Sequence, residues 1–176
     1  VQAHSAGMRL SLQQIATALQ AVPNLGLNNI YDKSSEFSDQ PTSHANGWLK
    51  GEGDETVIRE NGNLFMVNWR EGQKTGFFLD QRDNRALLAH YANGKNVLNT
   101  FCYSGGFSMY ALKAGAQHVT SVDSSRKAMD WTQRNVELNA FETNRHTAVC
   151  DDVNAYLKQT PNGLHDLIIL DPPAFA

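Results

Sequence analysis

Apolar residues recur along this chain at two periods, and the change of period divides it. Leu12, Ile15, Ala16 and Leu19 are spaced i, i+3, i+4, i+7, which sets them on one face of a helix. The preceding "VQAHSAGMR" reads as an extended arm, and Pro23 ends the helical run. "NNIYDKS" has the composition of a short strand. Residues 34–47 are polar, with Pro41 and Gly47, and read as a loop. "ETVIRE" and "NLFMVNW" are strand-like, and Asn61-Gly62 lies between them. A type I′ turn needs positive φ at both central residues, which Asn-Gly tolerates best, so this pair predicts a β-hairpin. "EGQKTGFFLDQRDNR" then leads into a helix over 83–92, which "NGK" terminates.

From residue 96 the pattern becomes a strict alternation of strand and helix. "NVLNTFC", "HVTSVD", "HTAVCDD" and "HDLIILD" are apolar strand runs. "FSMYALKAG", "SRKAMDWTQRNVELNA" and "VNAYLKQ" between them have helical character. Such alternation implies right-handed crossovers and an α/β fold, a parallel sheet with helices on both faces. No internal repeat or low-complexity tract interrupts it.

In an open parallel sheet, ligands sit beyond the carboxyl ends of the strands. Every chemically suggestive residue falls at such an end. "NTFCYSGGFS" follows the first strand, Asp123 closes the second, Asp151 and Asp152 follow the third, and Asp171 follows the fourth. Asp123 comes about twenty residues after the glycine loop, the distance at which a carboxylate accepts ribose hydroxyls. A dinucleotide would need G-x-G-x-x-G for its pyrophosphate, whereas this loop has only Gly105-Gly106, preceded by Phe101 and Tyr103. S-adenosylmethionine (SAM) has ribose and adenine but no phosphate, and its sulfonium suits an aromatic, carboxylate-rich wall. Asp152 or Asp151 is placed to accept from the adenine amino group.

Each residue also has a plainer reading. Gly-Gly after a strand makes a tight turn. Asp123 before Ser124-Ser125, and Asp151-Asp152 before the next helix, could be helix caps. Trp48, Trp69 and Trp131 read as packing residues. The joint spacing carries the functional reading.

Composition narrows the classes. The 176 residues are 41% hydrophobic and 19% charged, with net charge -3, as in an ordinary globular protein without a general basic surface for nucleic acid. Two cysteines, Cys102 and Cys150, make no disulfide framework, and six scattered histidines show no metal-ligand spacing, so no metal is expected. With no signal-peptide pattern and no long apolar run, the expectation is a cytoplasmic protein with no membrane contact. Val1 is not an initiator methionine, and both ends read as cut from a longer chain.

"GQKTGFFLDQRDNR", "NTFCYSGGFS", "SVDSS", "RNVELN", "DDV" and "DPPAF" together resemble the class I SAM-dependent methyltransferases of large-subunit ribosomal RNA. The nearest branch is the 23S rRNA cytosine-5 enzymes with an N-terminal PUA domain; a sister branch makes 7-methylguanine. The likeness runs from "QAHSAGM" to "DPPAF". It implies a central linking region with a β-hairpin over 1–80. Residues 81–176 would be the N-terminal half of a Rossmann-like methyltransferase domain, with the first four strands of its sheet. It implies that Phe101, Tyr103, Ser104 and Gly105 line the methionine and ribose of SAM, that Asp123 holds the ribose, and that Ser124 is among the cofactor-binding residues. Asp152 would hold the adenine, with Asp151 beside it among the cofactor-binding residues, and Lys74, Thr75, Asp80 and Arg82 would wall the pocket. Asp171, Pro172 and Phe175 would form the catalytic turn, with Asp171 facing the reactive methyl. The general acidic-x-G-x-G-x-G motif stands here as Asn99-x-Phe101-x-Tyr103-x-Gly105, and Ala174 stands where some members have lysine.

Amino-methyltransferases carry (D/N)-P-P-(Y/F/W), whose aromatic stacks on a flipped base. Ala174 displaces Phe175 by one place, which argues for a different base geometry. Cytosine C5 needs a cysteine thiolate to add at C6, and neither cysteine suits that role. By the resemblance, the nucleophile belongs to a Ser-Cys-Ser turn beyond Ala176. Guanine N7 would need only proximity and orientation. The expectation is thus methylation of 23S rRNA, at cytosine C5 ahead of guanine N7, by a parent protein of which this chain is an inactive fragment. Its open strand edge would invite a homo-oligomer. A nicotinamide-dependent oxidoreductase fragment is the alternative from another class, disfavoured by the poor phosphate loop. A catalytically dead interaction module is a third.

Overall fold

The structure, a computed structural model, describes residues 1–35 and 45–173. The chain divides into two compact units, Val1–Glu55 with Asn68–Phe77, and Thr56–Val67 with Phe78–Ala176. The body of the hairpin and the residues from Phe78 onward lie in the second unit, apart from the rest of the 1–80 region that the resemblance implies.

The first unit contains α1 (Ala6–Leu10), α2 (Leu12–Ala21), β1 (Ile30–Asp32) and β2 (Gly47–Lys50). The arm expected over residues 1–9 is a helix from Ala6, because Ser5 caps it by accepting from the Met8 N–H. Leu12 and Ala16 form the buried stripe of α2, which packs on β2. β1 and β2 pair antiparallel, with Tyr31 opposite Trp48. β2 is a strand that no local pattern marks, and residues 36–44 of the polar 34–47 segment lie outside the described residues. Trp48 meets Tyr31 at 5.1 Å and Trp69 at 6.0 Å between ring centroids, both edge-on, so Trp48 and Trp69 pack as expected.

The second unit begins with the hairpin of β3 (Glu55–Glu60) and β4 (Asn63–Asn68). Its turn residues Asn61 and Gly62 have φ of 48° and 78°, as the I′ reading requires. Next come α3 (Arg82–Ala92), β5 (Asn96–Thr100), α4 (Gly106–Lys113), β6 (His118–Asp123), α5 (Arg126–Leu138), β7 (His146–Cys150), α6 (Val153–Gln159) and β8 (Leu167–Leu170). β5 to β8 form one parallel sheet in the order β7-β6-β5-β8. The α/β parallel sheet expected from the alternation is the observed one, and it is Rossmann-like, as the resemblance implies.

The sheet is buried on both faces. Val97, Leu98, Val119 and Val122 are fully excluded from solvent, although neighbours in a strand point to opposite sides. α6 covers one face through Val153, which clusters with Leu98 and Val122. α4 packs on β5 and β6, and α5 on β6 and β7. β8 is at the edge among the described strands, and its Ile168 and Leu170 are exposed.

A buried ion pair ties the hairpin to the helices. Arg85 of α3 donates from Nε and Nη2 to the two carboxylate oxygens of Glu60 in β3, at 2.8 and 2.9 Å. Tyr110 of α4 donates to the same carboxylate at 3.0 Å, and Arg85 Nη1 donates to the Phe78 carbonyl at 3.0 Å.

Candidate cofactor site

Chain order and strand order together create the site. β5, β6 and β7 step away in one direction, and β8 returns to the other side of β5. The switch point therefore lies between β5 and β8, where open parallel sheets bind ligands. Thr100 pairs with both Val122 and Leu170, and Asp123 pairs with Cys150. One residue further on, this register brings Phe101, Asp123, Asp151 and Asp171 to one carboxyl rim. At about 4.8 Å per strand, the carboxylate-bearing positions of β6 and β8 stand roughly 10 Å apart across the loop above β5.

That loop, Phe101 to Gly105, has an unusual backbone. Phe101, Tyr103 and Gly105 have φ of 53°, 49° and 75°. Left-handed conformation costs a non-glycine residue roughly 1–2 kcal/mol, so two such residues persist only where their surroundings hold them. The holding groups are specific. Tyr103 N–H donates to Asp123 Oδ2 at 2.9 Å, Cys102 N–H to the Val122 carbonyl at 3.2 Å, and Gly105 N–H to the Cys102 carbonyl at 2.8 Å. The carbonyls of Tyr103 and Ser104 accept from Thr132 Oγ1 and Asn135 Nδ2, both at 2.9 Å. Tyr103 also meets Phe78 and Trp131 edge-on, with centroids at 5.6 and 5.7 Å.

Gly105 is required here by space as well as by φ. A Cβ at this position would lie 2.7 Å from Thr132 Cγ2. Gly105 is also the N-cap of α4, so the helix's first N–H groups open onto the rim.

Asp123 is not the helix cap. Ser125 caps α5 by accepting from Ala128 N–H, and Asp123 Oδ1 accepts from Ser125 N–H at 2.9 Å. Its half-buried carboxylate thus bridges the loop after β5 and the turn before α5. Each oxygen takes one backbone donor, and an ionised carboxylate has about four lone-pair sites, so it retains capacity for a diol. Asp152 does cap a helix, accepting from Ala155 N–H at 2.9 Å, while Asp151 Oδ1 accepts from Asp152 N–H and Asp151 N–H donates to the Asp123 carbonyl. The exposed Asp152 likewise retains acceptor capacity beyond the cap.

The loop residues, Asp123, Ser124, Asp151, Asp152, Asp171 and Pro172 therefore share one rim. Ser104 is buried, and Ser124 takes a long contact at its carbonyl from Cys150 Sγ, 3.6 Å. Asp80 lies in a 3₁₀ turn before α3, and Arg82 begins α3, paired with Asp83 at 3.2 Å on the surface. Lys74 and Thr75 belong to the first unit and are exposed. Phe175 lies outside the described residues. Cys102 is buried, and burial first, with the Asp123 charge second, pushes its thiol far above the usual range. It is a neutral packing residue. No group of His, Cys, Asp and Glu among the described residues is arranged to hold a metal ion. No described helix is long and apolar enough to cross a membrane.

Sequence reasoning did not assign roles to Thr132, Asn135 or the Glu60–Arg85 pair. The available signal was the Asn-x-x-x-Asn spacing inside "RNVELN", which repeats one polar face of a helix.

The donor set fits a phosphate-free nucleoside: carboxylates for hydroxyl and amino groups, aromatics and main-chain groups, with no basic side chain in the loop to meet a pyrophosphate. The relatives agree. Residues 3–176 match the S-adenosylmethionine-dependent methyltransferase family. Ribosomal RNA large subunit methyltransferase I of Aeromonas hydrophila is 50% identical over 123 residues, covering 68% of this chain and 31% of the relative. Its namesake from Aeromonas salmonicida is 38% identical over 98% of this chain and 44% of the relative. The solved structure of SMU.776, described as a methyltransferase complexed with SAH, superposes with a TM-score of 0.81 at 32% identity, covering 98% of this chain and 44% of that one. The chain thus spans less than half the length of these relatives. It belongs to the S-adenosylmethionine-dependent methyltransferases, and S-adenosylmethionine is its cofactor.

Proposed function

We propose that this chain forms the cofactor-binding part of an enzyme that methylates a base of large-subunit ribosomal RNA, at cytosine C5. The observation that carries the reading is the strained loop Phe101–Gly105, held by the Asp123 carboxylate at the switch point of the sheet. In this reading Asp123 accepts the ribose hydroxyls, with Ser124 beside it. Asp152, or Asp151, accepts from the adenine amino group. Phe101, Tyr103, Ser104 and Gly105 shape the methionine side, and Arg82 contributes a further contact. SAM, when bound, supplies an electrophilic methyl on its sulfonium. Asp171 with the Pro172 turn orients the base toward that methyl, with Phe175 after it, and the stiff prolines limit the motion of the turn. The names of the ribosomal RNA methyltransferase relatives support the substrate class.

Cytosine C5 chemistry calls for a thiolate, and buried, neutral Cys102 does not supply it. Guanine N7 alkylation needs no such group, and the same observation makes it the second reading.

Calorimetry with S-adenosylhomocysteine should give saturable one-to-one binding, weakened about a hundredfold by Asp123→Ala, the equivalent of one or two charge-assisted hydrogen bonds. Heat with NAD alone refutes the cofactor assignment. For the substrate, labelled methyl transfer to large-subunit rRNA by a protein containing this chain is followed by nucleoside digestion. 5-Methylcytidine is expected; 7-methylguanosine selects the second reading, and no label in RNA refutes both.

A further inference from the structure

One face of α5, with its C-cap, carries Thr132, Asn135 and Asn139, spaced i, i+3, i+7, and these side chains serve backbone groups. Asn135 is fully buried. Its Oδ1 accepts from Met66 N–H of β4 at 2.7 Å, and its Nδ2 donates to the Ser104 carbonyl of the cofactor loop at 2.9 Å. Asn139, one turn on, accepts from Leu64 N–H at 2.8 Å and donates to the Leu64 carbonyl at 2.7 Å. Thr132, one turn back, donates to the Tyr103 carbonyl. Among the described residues, the Asn139 side chain hydrogen-bonds the hairpin strand and its own helix, Thr132 the loop, and Asn135 both strand and loop.

Chemistry restricts what can stand at position 135. Met66 N–H only donates and the Ser104 carbonyl only accepts, so the group between them must accept and donate at once. A short side-chain amide does so with no charge to bury. Ionised aspartate keeps the acceptor, loses the donor and faces the carbonyl with negative charge. An unpaired Ser104 carbonyl would release the segment between two left-handed residues, Tyr103 and Gly105.

We propose that Asn135 is a positioning residue for SAM binding: it sets the Phe101–Gly105 loop in register with the β3–β4 hairpin, and Thr132 holds the adjoining carbonyl. The inference rests on the reading of that loop as the cofactor site. It acts through the loop and involves no contact between Asn135 and the cofactor.

The test compares Asn135→Asp, Asn139→Ala, Thr132→Val and Thr132→Ser with wild type, by site-resolved amide exchange and by calorimetry with S-adenosylhomocysteine. In Asn135→Asp the Tyr103 and Gly105 amides should exchange at least about tenfold faster, and the Kd should rise by about tenfold, the equivalent of one neutral hydrogen bond. Asn139→Ala should lower the melting temperature yet keep loop exchange and Kd within about twofold of wild type, since it loosens only the strand contact. Thr132→Val should act like Asn135→Asp, and Thr132→Ser, which keeps the hydroxyl, should restore both readouts. If Asn135→Asp does not fold, the Thr132 pair decides by the same measurements. Unchanged loop exchange in folded Asn135→Asp overturns the proposal, and so does an equal rise in Kd in Asn139→Ala. Wild type that binds no S-adenosylhomocysteine overturns the cofactor reading and the positioning role with it, whereas normal wild-type binding with insensitive variants overturns the positioning role alone.

Discussion

Replacing Glu60 by alanine should destabilise the second unit more than any surface change, because it strands a buried cation. The Arg85 and Glu60 side chains are only 3% and 7% exposed, and they meet through two parallel hydrogen bonds. Tyr110 adds a third bond to the same carboxylate, whose presence, after burial, raises the phenol pKa. Charge-assisted bonds contribute about 1.5–3 kcal/mol each and a neutral donor about 1, so the contacts total roughly 4–7 kcal/mol. Water entering the vacated space solvates Arg85 in part, and breaking a buried pair by removing one partner costs about 3–5 kcal/mol. The lower part of that overlap, about 4 kcal/mol, is the expected loss. It is a large fraction of the 5–15 kcal/mol that stabilises a typical domain.

At roughly 2–4 °C per kcal/mol for a chain of this size, the melting temperature should fall by roughly 8–16 °C. Far-ultraviolet circular dichroism follows it. The diagnostic variant is Glu60→Met with Arg85→Met and Tyr110→Phe, which removes every charge and hydroxyl of the cluster. It should lose much less than the sum of its parts, with a coupling of at least about 2 kcal/mol. A Glu60→Ala loss below about 1 kcal/mol, or additive losses in the combined variant, would show that the pair is solvated and would refute this account.

Two further predictions concern the sheet and the loop. His146, at the start of β7, is buried against Ser121 Oγ at 2.8 Å, and burial first, then the His118 charge, lower its pKa to about 4. Its folded pKa is depressed from about 6.5, so its contribution is fully present above that pH and is lost as pH falls toward 4, about 3 kcal/mol in all. Urea unfolding from pH 7 to 4 should show this loss and His146→Gln should flatten it; equal slopes would disprove it. Gly105→Ala should cost about 2–4 kcal/mol, from the left-handed φ and the Cβ pressed on Thr132, and should abolish S-adenosylhomocysteine binding; an unchanged melting temperature would contradict it.

The sheet was legible because its strands are short apolar runs bounded by glycine or aspartate, and the hairpin because Asn61-Gly62 admits one kind of turn. The helix Ala6–Leu10 escaped because five residues carry no period, and only the Ser5 cap marks it. β2 escaped because its evidence is its pairing with β1, a non-local contact that four residues do not announce. At the site, the strand-end aspartates were legible from position alone. Their division of labour was not: Asp152 proves to cap α6, while Ser125 rather than Asp123 caps α5. The Glu60–Arg85 pair has no local signature, because each residue lies 25 positions from the partner that permits its burial.

The sparse glycine pattern of the loop has a physical reason in these contacts. Three alternate positions take positive φ, yet only the third is glycine. Phe101 packs against the Leu98, Val122 and Val153 cluster, and Tyr103 makes two edge-on aromatic contacts. An aromatic pair contributes about 0.5–1.5 kcal/mol beyond area burial, comparable with the roughly 1–2 kcal/mol of left-handed strain. A side chain at either position can therefore offset its own backbone, whereas at Gly105 Thr132 occupies the space any side chain would need. The rigidity that glycines and turns provide in a phosphate-binding loop is supplied here from outside, by Asp123 at one end and by Thr132 and Asn135 along α5. Such a loop has no need to bring its backbone against a pyrophosphate, and that is the economy a phosphate-free cofactor permits.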